Sequence, residues 1–255
     1  MRFMTGDTVT TDDAALQALC ELGQEQLIRM EYLEAQATLA EAERRAWATR
    51  DWDSLSRLYL PLQEAHRQRR QRAGEGIVCL DLLADGPDDR HDALHVVQNF
   101  SHGQLLVAGW GSIDPAVRVR ELAEQHELYL DTFLAAVYPV GDGRVVAIVP
   151  TADVRLPDPS PRPIDQLIRL LPPHTIVLSE SELPQGSRRG TYETYAHVMA
   201  LWERLHKPFL AAADMRPDPV GKMEGYRKTI EVDYASELAH QKLSDVARGM
   251  MRDGH

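Results

Sequence analysis

A chain of 255 residues is one large domain or two small ones, and it can bury a sizeable core without disulfides or a metal. Its composition, 44% apolar and 26% charged, is that of an ordinary globular protein and excludes wholesale disorder. With 28 Lys and Arg against 39 Asp and Glu the net charge is −11, which argues against a general polyanion binder, so nucleic acid is not expected as a partner.

In the first segment, residues 1–75, the chain reads as helix from about Thr11 to Arg72. Thr11, Asp12 and Asp13 offer N-cap side chains before an Ala/Leu-rich stretch. Leu16, Leu19, Gly23, Leu27 and Met30 form one apolar stripe at three- and four-residue steps. Tyr32, Ala35, Leu39, Ala42 and Ala46 form a second stripe in a new phase, with Glu31 at the turn between the two helices. Asp51-Trp52-Asp53 starts a third helix through Leu55, Tyr59 and Leu62, and Pro61 predicts a kink or break inside it. The basic run Arg67 to Arg72 reads as a solvated helix end or a contact for an acidic partner, and Gly74 and Gly76 close the segment.

Residues 76–189 change character. The apolar runs Ile77–Leu83, Leu105–Ala108, Phe133–Val140, Val145–Val149 and Thr175–Ser179 suit strands buried on both faces. Helices are predicted between them over Asp92–Asn99, Pro115–Leu128 and Ile164–Leu171. Such alternation implies a mostly parallel sheet with helices packed on it. Gly141-Asp142-Gly143 predicts a hairpin between two of the strands, and the four prolines of Leu156–Pro163 predict a rigid loop.

Residues 190–255 return to helical periodicity. Tyr195, Val198, Met199, Trp202 and Leu205 make one stripe, and Pro217-Asp218-Pro219 marks a turn. Met223, Tyr226, Ile230 and Tyr234 follow, then Leu238, Leu243, Val246 and Met250, and fraying is expected from Arg252 onward.

Leu22-Gly23, Tyr32, Ala35, Leu39 and Ala42 resemble one tetratricopeptide repeat, with Gly23 and Ala35 where two helices touch closely. Tyr226 to Tyr234, then Glu237, Ala239, His240 and Leu243, resemble the second helix of one repeat running into the first helix of the next. The pattern departs at Tyr234, where the family has Pro, at Ser244, where it has Gly, and at Cys20, near which it has an aromatic residue. The resemblance implies a groove that binds a peptide or partner protein and brings no chemistry of its own. Three repeats in a row are absent, so the terminal helices are expected to pack on each other, on the middle segment or on another subunit.

Candidate chemistry gathers on loops. Gly109-Trp110-Gly111-Ser112-Ile113-Asp114-Pro115 follows a strand and opens a helix, so Gly109, Gly111 and Ser112 are candidates to cradle an anion at a helix N-terminus. This resembles the start of a dinucleotide fingerprint, except that Asp114 stands at the third glycine, and its plainer role is to cap the helix. Ser187, Arg188 and Arg189 lie on a second loop after a strand and offer hydrogen bonds and charge to a carboxylate or phosphate. Asp81, inside an apolar run, and Asp85, just after it, are candidate acids. These residues are expected to meet at the carboxyl edge of the sheet. His91, His95 and His102 carry no metal signature, and Cys20 and Cys79, too few for a disulfide framework, read as small buried apolar residues.

The fold expected is α/β, a mostly parallel, Rossmann-like sheet of about four or five strands (76–189) flanked by tetratricopeptide-like helical hairpins (1–75 and 190–255). The function expected is a protein-interaction or scaffold module that binds another protein or peptide through its terminal helices, with self-association left open. The alternative is an enzyme or binder of a small molecule or phosphate ligand at the sheet edge. No motif names a cofactor. The polar start, Met1 to Thr11, and the lack of an apolar run of ~20 residues predict a cytoplasmic protein without a membrane partner.

Overall fold

The computed structural model describes residues 7–89, 91–141 and 143–252, with side chains from Asp13 onward. Three helices come first, α1 (Asp7–Ile28), α2 (Tyr32–Thr49) and α3 (Trp52–Glu75). The first begins upstream of the predicted cap, so Thr11 to Asp13 lie inside it. Met30, at φ 63°, turns the chain into α2, and Arg50, at φ 55°, closes α2. The chain runs through Pro61 as one helix, so the break that Pro61 could have caused does not occur. Leu58, Tyr59 and Leu62 beside it are buried in one core, and that packing outweighs a proline cost of about 3 kcal/mol. The last helices are α7 (Tyr192–Asp214), α8 (Pro219–Val232) and α9 (Glu237–Arg252).

The chain divides into two units, Met1–Arg69 with Phe209–His255, and Arg70–Pro208. The division falls inside α3 and α7 rather than at Gly76 and Gly190, because helices run on where composition changes.

In the helical unit, small residues set the spacing. A side chain at Gly23 would meet Leu39 at 2.6 Å, and one at Gly225 would meet Ala213 at 2.6 Å. Leu39, Ala42, Leu55, Tyr226, Leu243 and Ala247 share one core. Full burial of Leu39 alone contributes about 2 kcal/mol. Several of the polar groups inside are paired with one another, while Ser236 Oγ is buried without a hydrogen-bond partner. Glu43 accepts from Arg227 Nε at 2.8 Å and from Tyr59 at 3.3 Å, and the Arg227 guanidinium lies 4.4 Å over Trp47. Ser244 Oγ donates to Ser56 O at 2.8 Å, and His66 meets His240 at 3.0 Å.

The second unit is a six-stranded sheet with helices α4 (Ala93–Asn99), α5 (Asp114–Gln125) and α6 (Ile164–Leu170). The strands are β1 (Ile77–Leu83), β2 (His102–Trp110), β3 (Tyr129–Val140), β4 (Gly143–Val149), β5 (Ile176–Ser179) and β6 (Arg188–Arg189), in the order β5-β4-β3-β2-β1-β6. Among the described residues only β1–β2 and β2–β3 are parallel, while β3–β4, β4–β5 and β1–β6 are antiparallel. The expected mostly parallel sheet is therefore corrected to a parallel centre of three strands with antiparallel flanks. Asp142 of the expected hairpin turn lies outside the described residues, but Val140 pairs with Gly143 across it. The two parallel crossovers put α4 and α5 on one face, where Val96, Val119 and Leu122 pack on Leu105, Val107 and Leu134. On the other face Trp202 of α7 stacks on Phe133 at 4.2 Å.

That second face holds a buried charge pair. Arg70 and Asp131 are 1% and 4% exposed, and Arg70 Nε lies 2.7 Å from Asp131 Oδ2. Gln104 Nε2 donates to the same carboxylate at 2.8 Å, and Gln104 Oε1 accepts from Trp202 Nε1 at 3.3 Å. The basic run is thus largely consumed within the chain, with Arg67 on Glu64, Arg69 on Gln36 and over Tyr234, and Arg72 on Glu75.

The link from β5 to β6 favours a coiled sheet over a flat one. From Ser179 to Arg188 the chain has nine steps, a reach of at most ~31 Å. A flat sheet would separate these residues by five strand spacings and seven residues along the strands, about 33 Å on the diagonal. The connection also contains a 3-10 turn at Glu180–Glu182, which shortens it further.

Candidate functional site

The predicted loop at Gly109 is a tight turn. Gly109 N–H donates to Ser112 O at 3.1 Å, and Gly111 N–H donates to Val137 O at 2.9 Å. Gly111, at φ 64°, faces Pro159, which a side chain there would meet at 2.7 Å. Both amides expected to face an anion are spent on main-chain carbonyls. Ser112 Oγ, rather than Asp114, accepts the hydrogen bond that opens α5, from Asp114 N–H at 3.0 Å.

Beside this turn, at the carboxyl ends of β1 and β2, lies an open cleft of about 660 Å³. Pro87, Leu94, Trp110 and Pro115 supply apolar wall, and Asp89, His91, Asp92, Ser112, Asp114 and Arg118 supply polar groups. Asp89 accepts from Asp85 N–H at 2.8 Å, Asp92 caps α4 through Leu94 N–H at 3.0 Å, and Arg118 pairs with Glu121 at 2.8 Å. His91 Nε2 is buried and has no hydrogen-bond partner. Three carboxylates against one paired guanidinium make this lining, among the described residues, unfavourable to phosphate. The parallel strands β1, β2 and β3 lie side by side in chain order, so their winding never reverses and they make no switch-point crevice.

The other predicted residues sit elsewhere. Asp85 pairs with Arg144 at 2.9 Å. Arg144 also takes Glu180 in a fork, at 2.9 and 2.7 Å, and donates to Ala84 O at 3.2 Å. The hydrogen bonds that Arg144 donates to Glu180 and then to Asp85 hold this guanidinium charged and raise its pKa. Asp81 lies where the β1 register shifts, and its Oδ2 accepts from Gly186 N–H at 2.6 Å. Its Oδ1 accepts from Cys79 Sγ at 3.2 Å. Burial pushes the Cys79 thiol up, and its hydrogen bond with Ser187 only partly offsets this, so Cys79 stays a protonated thiol. Arg188 and Arg189 pair with Val78 and Ile77, near the amino end of β1. The expected gathering at the carboxyl edge holds only for Asp85 and the Gly109 turn; Arg188 and Arg189 do not join them, because the loop after β5 ends on the far edge of the sheet as β6. Arg188 borders a small cleft of about 190 Å³ with Glu193, Thr194 and His197.

His91 lines the large cleft, His95 is exposed on α4 and His102 opens β2. Among the described residues no group of three or more His, Cys, Asp and Glu side chains is placed to hold a metal. Among them also, no helix is long and apolar enough to cross a membrane.

The helical unit carries its own groove of about 360 Å³. Trp52 and Met250 floor it, Pro219 and Val220 form walls, and Arg50 and Asp218 stand at the rim. Asp218 accepts from Gly221 N–H at 2.7 Å and caps α8. Sequence reasoning missed this groove and also Arg144, Glu180 and Asp131. The signal for Asp131 was an acid at the head of the apolar run ending at Val140.

In comparison with known proteins, no family model, no curated protein and no solved structure matches this chain.

Proposed function

We propose that the protein is an interaction module whose tetratricopeptide-like helical unit receives an apolar peptide segment of a partner protein. The observation that carries this is the groove floored by Trp52 and Met250. An aromatic ring and a thioether favour an apolar side chain, and the exposed Arg50 at the rim favours a carboxylate next to it. The close helix seams at Gly23 and Gly225 support the same reading. Both cysteines are free thiols, which suits action in the cytoplasm. The test is selection of displayed random peptides on the wild-type chain, followed by binding to Arg50→Glu and Val220→Asp. Enriched peptides should carry an apolar residue beside an acidic one and should lose affinity for both variants. Peptides that bind the variants as well as the wild type would refute the groove.

A second reading is favoured by one observation, the 660 Å³ cleft beside the Gly109 turn, whose size suits a small ligand. Its ligand is neutral or cationic, with an apolar ring for Trp110 and a donor for the open nitrogen of His91. Thermal-shift screening of amines and nucleosides with Asp114→Asn as control tests it, and flat curves count against it. A ligand at 100 times its Kd raises stability by about 2.7 kcal/mol.

A further inference from the structure

An unpaired strand edge invites pairing with another chain, and natural sheets blunt their edges. Here β6 is two exposed arginines. The part of β3 that β4 leaves uncovered is closed by Arg120, whose Nε donates to Thr132 O at 2.7 Å. At the opposite edge β5 reads Ile-Val-Leu-Ser, with no charge, proline or register shift. Ser179 N–H is taken by Glu182 at 2.6 Å, so it does not donate to Val145 opposite. Hydrogen bonding alternates along an antiparallel pair, so Val177 also turns its N–H and C=O outward from β4.

Helix α6 leads straight into this strand. Leu167 is buried in the cluster that holds Val145 and Ala147, and Val177 packs against it, so α6 packs on this face of the sheet and joins β5 through a link of five residues. Ile164, Ile168 and Leu170 remain 44%, 52% and 54% exposed, an unusual apolar display for so short a helix. Asp165 and Arg169 flank them and pair only loosely, at 3.9 Å, in the open.

We propose that β5 pairs antiparallel with β5 of a second copy of this chain, about a two-fold axis through Val177, so that α6 packs on α6 of that copy. The surface is self-complementary. Val177 exchanges both main-chain bonds with its own mate. The two helices run antiparallel, so each Asp165 meets an Arg169 of the other copy, and the charges match twice. In the proposed dimer each α6 lies over β4 and β5, ~5 Å from the axis, which puts the two ~10 Å apart, the usual helix packing distance. A foreign strand would satisfy the edge of β5 but would leave the charge pairs and isoleucines uncovered.

Light scattering on the eluting 255-residue chain, from micromolar to a tenth millimolar, should give twice its 28.7 kDa mass. Ile168→Glu, at an exposed position, should return the mass to a single chain with an unchanged circular dichroism melt. Asp165→Arg and Arg169→Asp should each lose the dimer peak, and the double reversal should restore it. Mild oxidation should link Val177→Cys into a covalent dimer, since Cα atoms in a hydrogen-bonded pair lie ~5.5 Å apart. Ser179→Cys should stay unlinked, its mates being ~13 Å apart across the axis. A single-chain mass at the highest concentration overturns the proposal. So does a dimer that survives Ile168→Glu, or one that Ser179→Cys links as readily as Val177→Cys.

Discussion

Acid should loosen the helical unit through one histidine pair. His240 Nδ1 lies 2.9 Å from Ser236 O, which can only accept, so Nδ1 carries the proton. The bare Nε2 of His240 then accepts from His66 Nδ1–H at 3.0 Å. Both rings are buried, with Tyr234 edge-on to His66 at 5.2 Å and the Arg69 guanidinium over Tyr234. A second proton on His240 would set two N–H groups against each other. Burial lowers its pKa from 6.5 to about 4, against weaker upward pulls from the Ser236 carbonyl and the Asp233 carboxylate. A histidine lowered on folding contributes its stability above the unfolded pKa and loses it as pH falls through the folded one. From 6.5 to about 4 the full loss is about 3 kcal/mol, of which about 2 kcal/mol is gone by pH 5. Urea titrations at pH 7 and pH 5, followed by circular dichroism and by hydrogen exchange of α9, measure it. His240→Gln should be less stable at pH 7 and should lose most of the difference between the two pH values. Equal urea midpoints for the wild type at pH 7 and 5, or an unchanged difference in the variant, would refute the argument.

Arg70→Met should cost about 3–5 kcal/mol in a thermal or urea melt, because it strands the buried Asp131 carboxylate. Arg70→Met with Asp131→Asn should recover part of that loss. Gly111→Ala should cost about 1–3 kcal/mol by the same melt, since alanine must hold φ 64° with its methyl against Pro159. Arg144→Ala should change global stability by less than about 1 kcal/mol, its carboxylate partners being partly exposed. It should nevertheless speed hydrogen exchange over residues 180–187, which lose their tether to the β1–α4 loop.

The legible parts of this fold were those fixed by local chemistry. The run Ile77–Leu83 matches β1 residue for residue, and the glycines around Asp142 mark a real hairpin between β3 and β4. Strand direction after β4 was not legible, and the reason is geometric. A strand, a helix and a strand in sequence suggest a parallel crossover. Here the proline-rich loop adds one more traverse, since Pro159 packs on Gly111 at the carboxyl edge before α6 begins. The chain therefore goes down β4, up the loop, down α6 and up β5, and the extra pass makes β5 antiparallel to β4. The predicted site failed for a related reason. Arg188 and Arg189 were read as a loop because two charged residues carry no strand periodicity, yet as β6 they are carried to the far edge of the sheet. A glycine records that room is needed and leaves open what fills it, and at Gly111 the occupant is a proline of the same chain. Charges behave alike: Arg70 and Asp131 are sixty-one residues apart, and no periodicity in either segment announces that they meet inside the core. Periodicity reports which face of an element is buried. The partner on that face is set by connections, and two of them here, the loops before α6 and after β5, decide both the sheet and the place of its polar residues.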